Sequence, residues 1–187
     1  MTHKLQLVLI HNSNESGGMD TELVRWITTV VQNRSEFEVS VVEPSDLGLI
    51  DGLAEQRGRR ACLKTLAAAD AYIVLTPARH LGYQHGLKPL MARWPEHLQA
   101  RPFSFVGYGC VTGAEDEVEQ LRRELLDMDA LPLGNSLALT EIAERLDQGF
   151  EHSAQVRLSM AQLLIQLAWW ARALKDARAF APYLKVG

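Results

Sequence analysis

Cysteine is scarce in this chain of 187 residues: Cys62 and Cys110 are the only two. Two cysteines build no disulfide framework, and a reducing cytoplasm is the expected setting. Long apolar runs are missing as well. None approaches the roughly 20 residues that a membrane-spanning helix needs. The opening Met1-Thr-His-Lys-Leu-Gln-Leu7 enters a strand at once, without the apolar core and small-residue cleavage site of a signal peptide. There is no excess of positive charge. The 19 lysines and arginines against 23 acidic residues leave a net charge of −4, which argues against nucleic acid as a partner. Repeats, low-complexity segments and linkers are absent. So are G-x-G-x-x-G and G-x-x-x-x-G-K-[ST], which excludes a Rossmann fingerprint and a Walker loop.

What is present is an ordinary globular composition, 47% hydrophobic and 22% charged, in a length that suits one domain. Residues 1–178 are expected to form that domain and 179–187 a loosely ordered tail. Leu5–Ile10, Phe37–Val42, Ala71–Thr76 and Pro102–Gly107 are short apolar runs of the kind buried on both faces of a parallel sheet. Leu131–Leu139 reads as a fifth strand, broken by Gly134. Between the strands lie amphipathic stretches. Leu23, Trp26, Ile27, Val30 and Val31 recur at helical spacing, with Asp20 as the expected N-cap. Arg60–Ala69, the stretch from about Gly86 to Trp94, Glu115–Leu126 and Ser153–Lys175 are the remaining helices, and 45–59 reads as an irregular crossover. Strands alternating with helices imply a parallel sheet covered on both faces. The expected class is α/β, a flavodoxin-like three-layer sandwich with strand order 2-1-3-4-5. In that order ligands bind where the chain reverses direction between the first and third strands.

Three loops should therefore meet at one crevice. The first, His11–Met19, carries Ser13, Asn14 and Ser16 and leads into a helix N-terminus. Free backbone N–H groups and the helix dipole make that a place for a phosphate, although an ordinary strand-to-helix turn uses the same residue types. The second, Pro77–Gly86, and the third, Tyr108–Gly113, offer a proline, glycines and the tyrosines Tyr83 and Tyr108. Such walls suit a flat, partly apolar ring held at its edge by main-chain hydrogen bonds. Packing of the two tyrosines onto the sheet accounts for each of them equally well. His11, His80, His85 and Cys110 also lie at strand carboxyl ends. They are suited to zinc or copper, or to a Cys–His nucleophile pair, but have none of the spacings of strong metal motifs.

Six segments together resemble the NADPH-dependent FMN reductase family, over nearly the whole chain. They are Val24-Arg-Trp26, Ala69-Asp-Ala-Tyr-Ile-Val-Leu-Thr-Pro77, Gly86-Leu-Lys88 with Trp94, Ser104-Phe-Val-Gly-Tyr-Gly-Cys-Val-Thr-Gly113, Val118-Glu-Gln-Leu-Arg122 and Trp169-Trp-Ala-Arg-Ala-Leu174. The resemblance implies an oxidoreductase that moves a hydride from NADPH or NADH to FMN and on to a small acceptor such as a flavin or quinone. It implies that Asn12, Ser13, Asn14, Gly18 and Met19 hold the FMN phosphate. Pro77, Ala78, Arg79 and His80 would line the ring, and Tyr108, Gly109, Cys110 and Gly113 would close its other side. No catalytic side chain is implied, because the cofactor carries the chemistry. A homodimer or homotetramer is implied too, and the apolar final helix with Trp169 and Trp170 points the same way.

The cofactor loops depart from the family pattern at particular residues. Asn12-Ser13-Asn14-Glu15 stands where the family reads G-S-x-R, Thr76-Pro77-Ala78-Arg79-His80 replaces T-P-E-Y-N, and Gln84-His85 replaces a proline-glycine pair. These departures keep two alternatives open. One is a family member that has given up tight FMN binding and takes flavin as a substrate or holds another small ligand. The other is a metal-binding or hydrolytic protein built on His11, His80, His85 and Cys110.

Overall fold

A computed structural model describes residues 4–11, 18–47, 56–77, 88–109, 114–140 and 153–183. Its strands are β1 (Leu5–His11), β2 (Phe37–Val42), β3 (Ala71–Pro77), β4 (Pro102–Gly109) and β5 (Leu131–Thr140). Its α-helices are α1 (Gly18–Gln32), α2 (Gln56–Ala68), α3 (Lys88–Arg93), α4 (Ala114–Asp127) and α5 (Ala154–Phe180), with short 3-10 turns at Pro44–Leu47 and Pro95–His97. The strands form one sheet of order β2-β1-β3-β4-β5, every neighbouring pair parallel. This is the flavodoxin-like architecture expected from the sequence.

The period of two along each strand divides the core into two layers. Leu5, Leu7 and Leu9 of β1, Ala71, Ile73 and Leu75 of β3, and Leu133, Leu137 and Leu139 of β5 pack under α1 and α5. Val8, Ile10, Tyr72, Val74, Phe103 and Phe105 face the other way, under α2, α3 and α4. The two layers cover both faces of β1, β3 and β4, so these central strands read as nearly unbroken apolar runs, while the edge strands β2 and β5 keep exposed positions. Among the described residues no helix is long and apolar enough to cross a membrane.

Several boundaries differ from the sequence expectation, each for a visible reason. α2 starts four residues early, at Gln56, and runs through Gly58, where open space surrounds the backbone and no positive φ is needed. α1 begins at Gly18, so Asp20 is the third helical residue rather than the cap. β4 continues to Gly109 because Pro77 and Tyr108 still pair, which moves Tyr108 and Gly109 from the loop into the strand. β5 is continuous through Gly134. From Phe103 to Phe105 β4 advances two residues while its partners, Pro132 and Ser136, lie four apart, so the expected break is a bulge within the strand. Arg122 closes that bulge, donating to the carbonyl oxygens of Leu133 and of Gly134 (the latter at 3.1 Å).

α5 starts one residue after the expected Ser153, which caps it instead, its hydroxyl accepting from Val156 N at 3.4 Å. It does not stop near Lys175 but runs on to Phe180, taking Ala179 and Phe180 out of the expected tail. No residue from Asp176 to Phe180 breaks a helix. Arg178, in the last turn, is held by the carbonyl of Ala100 and by Asp70 at 3.5 Å, and Pro182 follows the end. Residues 184–187 lie outside the described residues.

Candidate functional site

The strand order places a switch point between β1 and β3. After β1 the chain crosses by α1 to β2 on one side; after β2 it crosses back by α2 to β3 on the other. Connections leaving the carboxyl ends of β1 and β3 therefore part in opposite directions, and a crevice opens between them. His11 ends β1, Pro77 ends β3 and Gly109 ends β4. These anchors stand on three successive strands, so with strands about 4.8 Å apart the three loops spring from a front on the order of 10 Å wide. Register aligns them: His11 lies beside Leu75, Pro77 beside Tyr108, and Gly109 beside Thr140.

Polar side chains gather at this rim. Of the four buried polar or charged side chains among the described residues, His11 and Thr76 are at it, and Tyr108 is buried there too. His11 continues the odd-numbered series of β1, so its ring turns to the α1 and α5 side. Its Nδ1 lies 3.8 Å from a carboxylate oxygen of Glu43, just past the end of β2. Tyr108 belongs to the same layer, packed with the core beneath α1 and α5. The sequence reading gave Thr76 and Glu43 no role in the site. Their signal was position alone: each lies within one residue of a strand's carboxyl end.

The N-terminus of α1 is the other component. The first four N–H groups of a helix have no partner within it, and the helix carries partial positive charge at that end. α1 begins at Gly18, immediately after the loop that carries Ser13, Asn14 and Ser16. A helix start, whose first N–H groups find no partner within the helix, beside a rim of proline, glycine and neutral hydroxyl groups, is a donor set that fits a phosphate attached to a flat, uncharged ring. The residues present therefore fit FMN.

Of the site residues expected from sequence, Gly18 and Met19 open α1, Pro77 ends β3, and Tyr108 and Gly109 end β4. These five are brought to one end of the sheet. Asn12, Ser13, Asn14, Ala78, Arg79, His80, Cys110 and Gly113 lie outside the described residues. Among the described residues no three metal-ligating side chains come together. His11, from the alternative metal set, is directed to Glu43, while His80, His85 and Cys110 lie outside. A groove of about 430 Å³ lies against α5, lined by Glu36, Ile165 and Trp169 among others, and belongs to neither the rim nor the switch point.

Comparison with known proteins matches this geometry. The described fold is similar to the apo form of the NADH:FMN oxidoreductase EMOB, at TM-score 0.69 and 19% identity over 86% of this chain and 89% of that one. It is similar to an oxidoreductase from Corynebacterium diphtheriae, at TM-score 0.61 and 18% identity over 92% and 97% of the two chains. RosB, solved with bound 8-demethyl-8-formylriboflavin-5′-phosphate, aligns at TM-score 0.64 and 15% identity over 96% and 82%. At such identities these likenesses speak for the fold alone. No curated protein matches by sequence. The family of NADPH-dependent FMN reductases matches residues 5–144, three quarters of the chain and all five strands. The chain belongs to the NADPH-dependent FMN reductase family.

Proposed function

We propose that FMN sits in the crevice between β1 and β3 and that the protein uses it to pass reducing equivalents from NADPH or NADH to a small acceptor, a flavin, a quinone or a similar aromatic compound. The observation that carries this reading is the switch point itself. It sets the N-terminus of α1 beside the ends of β3 and β4, within the segment that matches the family. Asn12, Ser13 and Asn14, with the first-turn amides of Gly18 and Met19, hold the phosphate. Pro77, Ala78, Arg79 and His80 line one edge of the ring. Tyr108, Gly109, Cys110 and Gly113 close the other.

FMN, when bound, supplies the capacity to accept and release a hydride. The chain binds, orients and shields. Main-chain groups at Pro77 and Gly109 are fixed by the pairing of β3 with β4 and β4 with β5, so the ring edge meets donors and acceptors set by the sheet. Thr76 and Tyr108, both buried, keep water from the strand ends beneath it, Thr76 on the α2, α3 and α4 side of the sheet and Tyr108 on the α1 and α5 side. No side chain is needed as an acid or base. The working form is a cytoplasmic homodimer or homotetramer with no nucleic-acid partner.

The test is an absorbance titration of the purified protein with FMN, followed by NADPH and NADH oxidation with a quinone acceptor. Near-stoichiometric FMN with micromolar or tighter affinity is expected, and nicotinamide oxidation should depend on it. A protein that binds no FMN at micromolar concentration contradicts the reading.

A further inference from the structure

α5 is apolar on two opposite sides. Its inner stripe, Met160, Leu163, Leu164, Leu167, Ala168 and Ala171, is buried on the sheet. Its outer stripe, Leu158, Ile165, Trp169 and Phe180, is 54%, 56%, 61% and 94% exposed. At 100° per residue these four lie within about 40° of Trp169, directly across the helix from Met160 and Leu167. A helix lying on a sheet needs one apolar stripe, and apolar residues on both sides mark a helix buried on both. Trp170 widens the patch, and the rings of Trp169 and Trp170 meet edge to face at 4.8 Å. Along this face, which Gln162 and Asp176 share, these five side chains expose on the order of 600 Å², most of the roughly 800 Å² that each partner buries in a stable interface.

We propose that this outer face of α5 docks against the same face of a second copy, the two helices antiparallel about a two-fold axis at Trp169. This rests on the homo-oligomer reading above and assigns its surface. Charge decides the direction. With the axis at Trp169, Leu158 faces Phe180 of the second copy, Ile165 faces Ala173, Gln162 faces Asp176 and Gln166 faces Arg172. Each charged group then meets an amide that can hydrogen-bond it, and the apolar residues meet one another. A parallel pair would set Arg172 on Arg172 and Asp176 on Asp176, like charge on like. The groove of about 430 Å³ beside the stripe, walled by Ile165, Ala168, Trp169 and Ala173, with Glu36 and Arg172 as its polar lining, is large enough for an indole from the opposite copy. A tryptophan anchored in a pocket at the centre of an interface is the usual form of a binding hot spot.

Light scattering on a sizing column at tens of micromolar should give twice the 20.9 kDa chain mass, or a multiple of it. Trp169→Glu should halve that mass with the far-ultraviolet circular dichroism unchanged. In a second arm, Leu158→Cys and Phe180→Cys proteins are mixed and oxidised, with the parent chain, which carries Cys62 and Cys110, as the background. The mixture should cross-link several-fold more than either protein alone. A parent that runs as a monomer overturns both this proposal and the homo-oligomer reading. A Trp169→Glu protein that keeps its mass, or Leu158→Cys cross-linking to itself as fast as to Phe180→Cys, overturns the proposal and leaves that reading standing. If Trp169→Glu does not fold, the cysteine pair decides, since its substitutions lie at the ends of the stripe.

Discussion

Lys175 places its ammonium nitrogen 2.7 Å from Oδ2 of Asp70, tying the last turns of α5 to the start of β3 across 105 positions of sequence. Asp70 is 4% exposed and also accepts the amide of Gln6 at 2.9 Å, while Arg178 approaches its other oxygen to 3.5 Å. One carboxylate thus joins β1, β3 and α5 at the end of the sheet away from the rim. Asp70→Ala should destabilise the protein by about 2–3 kcal/mol, because it strands a half-buried guanidinium and an amide. Lys175→Met should cost about 1 kcal/mol or less, since that ammonium is part-exposed and Arg178 remains. Urea denaturation of the two variants measures both. Equal costs would mean that Lys175, not the carboxylate, is the centre of the lock.

Ala100, whose carbonyl Arg178 grips, has a φ of 51°, in the left-handed region that favours glycine. Its amide is held as well, donating to Asp129 O at 2.8 Å. Both hydrogen bonds are main-chain on the Ala100 side and survive substitution. Ala100→Gly removes a strain of about 1–2 kcal/mol and adds about 0.5–1 kcal/mol of unfolded-state entropy, so a net gain of about 0.5 kcal/mol is expected. A rise in thermal midpoint checks it.

The bulge in β5 makes opposite predictions for two residues in contact. Arg122 donates to two carbonyls of the bulge, lies 4.9 Å from the centre of the Phe105 ring and pairs with Glu119 at 3.0 Å. Arg122→Ala should cost about 2–3 kcal/mol, and Arg122→Lys about 1 kcal/mol or more, because an ammonium loses the planar fork that spans both oxygens. Gly134→Ala should change stability by less than about 0.5 kcal/mol, since an added Cβ meets nothing within 4 Å and φ is not positive. A large loss at Gly134 would place the demand on the glycine rather than on the arginine.

How much of this was legible beforehand depends on where the determining contacts lie. The sheet was legible because its central strands β1, β3 and β4 are buried on both faces, which writes an apolar run into local sequence. The end of α5 was not, because Arg178 is fixed by Ala100 and Asp70, both far away in sequence. The break at Gly134 was read from a glycine, but the bulge belongs to the pairing of β4 with β5, where Phe103 and Phe105 meet residues four apart. The rim was legible in outline from Pro77, which has no N–H to carry β3 further, whereas the extension of β4 to Gly109 was not, because it depends on the pairing of Tyr108 with Pro77. Thr76 and Glu43 were missed because their place in the site depends only on which strands stand side by side.

Tyr72 links stability to alkaline pH. Its hydroxyl is shared between the carbonyls of Leu66 at 2.7 Å and His97 at 2.9 Å, and its ring stacks on Phe103 at 4.5 Å. Burial raises the phenol well above the ordinary tyrosine range, with Arg101 and Arg178 opposing only in part. Its folded-state pKa is thus above the unfolded one, near 10. The unfolded chain then releases the proton first, so the contribution is complete below pH 10 and is lost as the pH rises beyond it. Tyr72→Phe should cost about 1–2 kcal/mol at pH 8 through the lost hydrogen bond. The gap between the two proteins should narrow from pH 9 to pH 11. Urea midpoints across that range provide the measurement, and a gap that stays constant would mean the phenol ionises alike in both states.

The cofactor loop carries the most direct test of how this member binds FMN. Glu15 occupies the place of the arginine that the family pattern sets against the phosphate, in the loop that leads into the N-terminus of α1 at Gly18. The helix start attracts a dianionic phosphate, and a carboxylate beside it opposes that attraction. At an effective dielectric near 20, two unit charges several ångströms apart interact by about 2–4 kcal/mol, less where solvent screens them. Reversing the charge with Glu15→Arg should therefore tighten FMN about tenfold at low salt, and Glu15→Gln by a smaller factor. Both gains should shrink as ionic strength rises. Flavin fluorescence quenching at two salt concentrations separates the outcomes. An affinity unchanged by either substitution means that Glu15 points away from the phosphate and that the amides at Gly17 and Gly18 hold it without a side-chain charge.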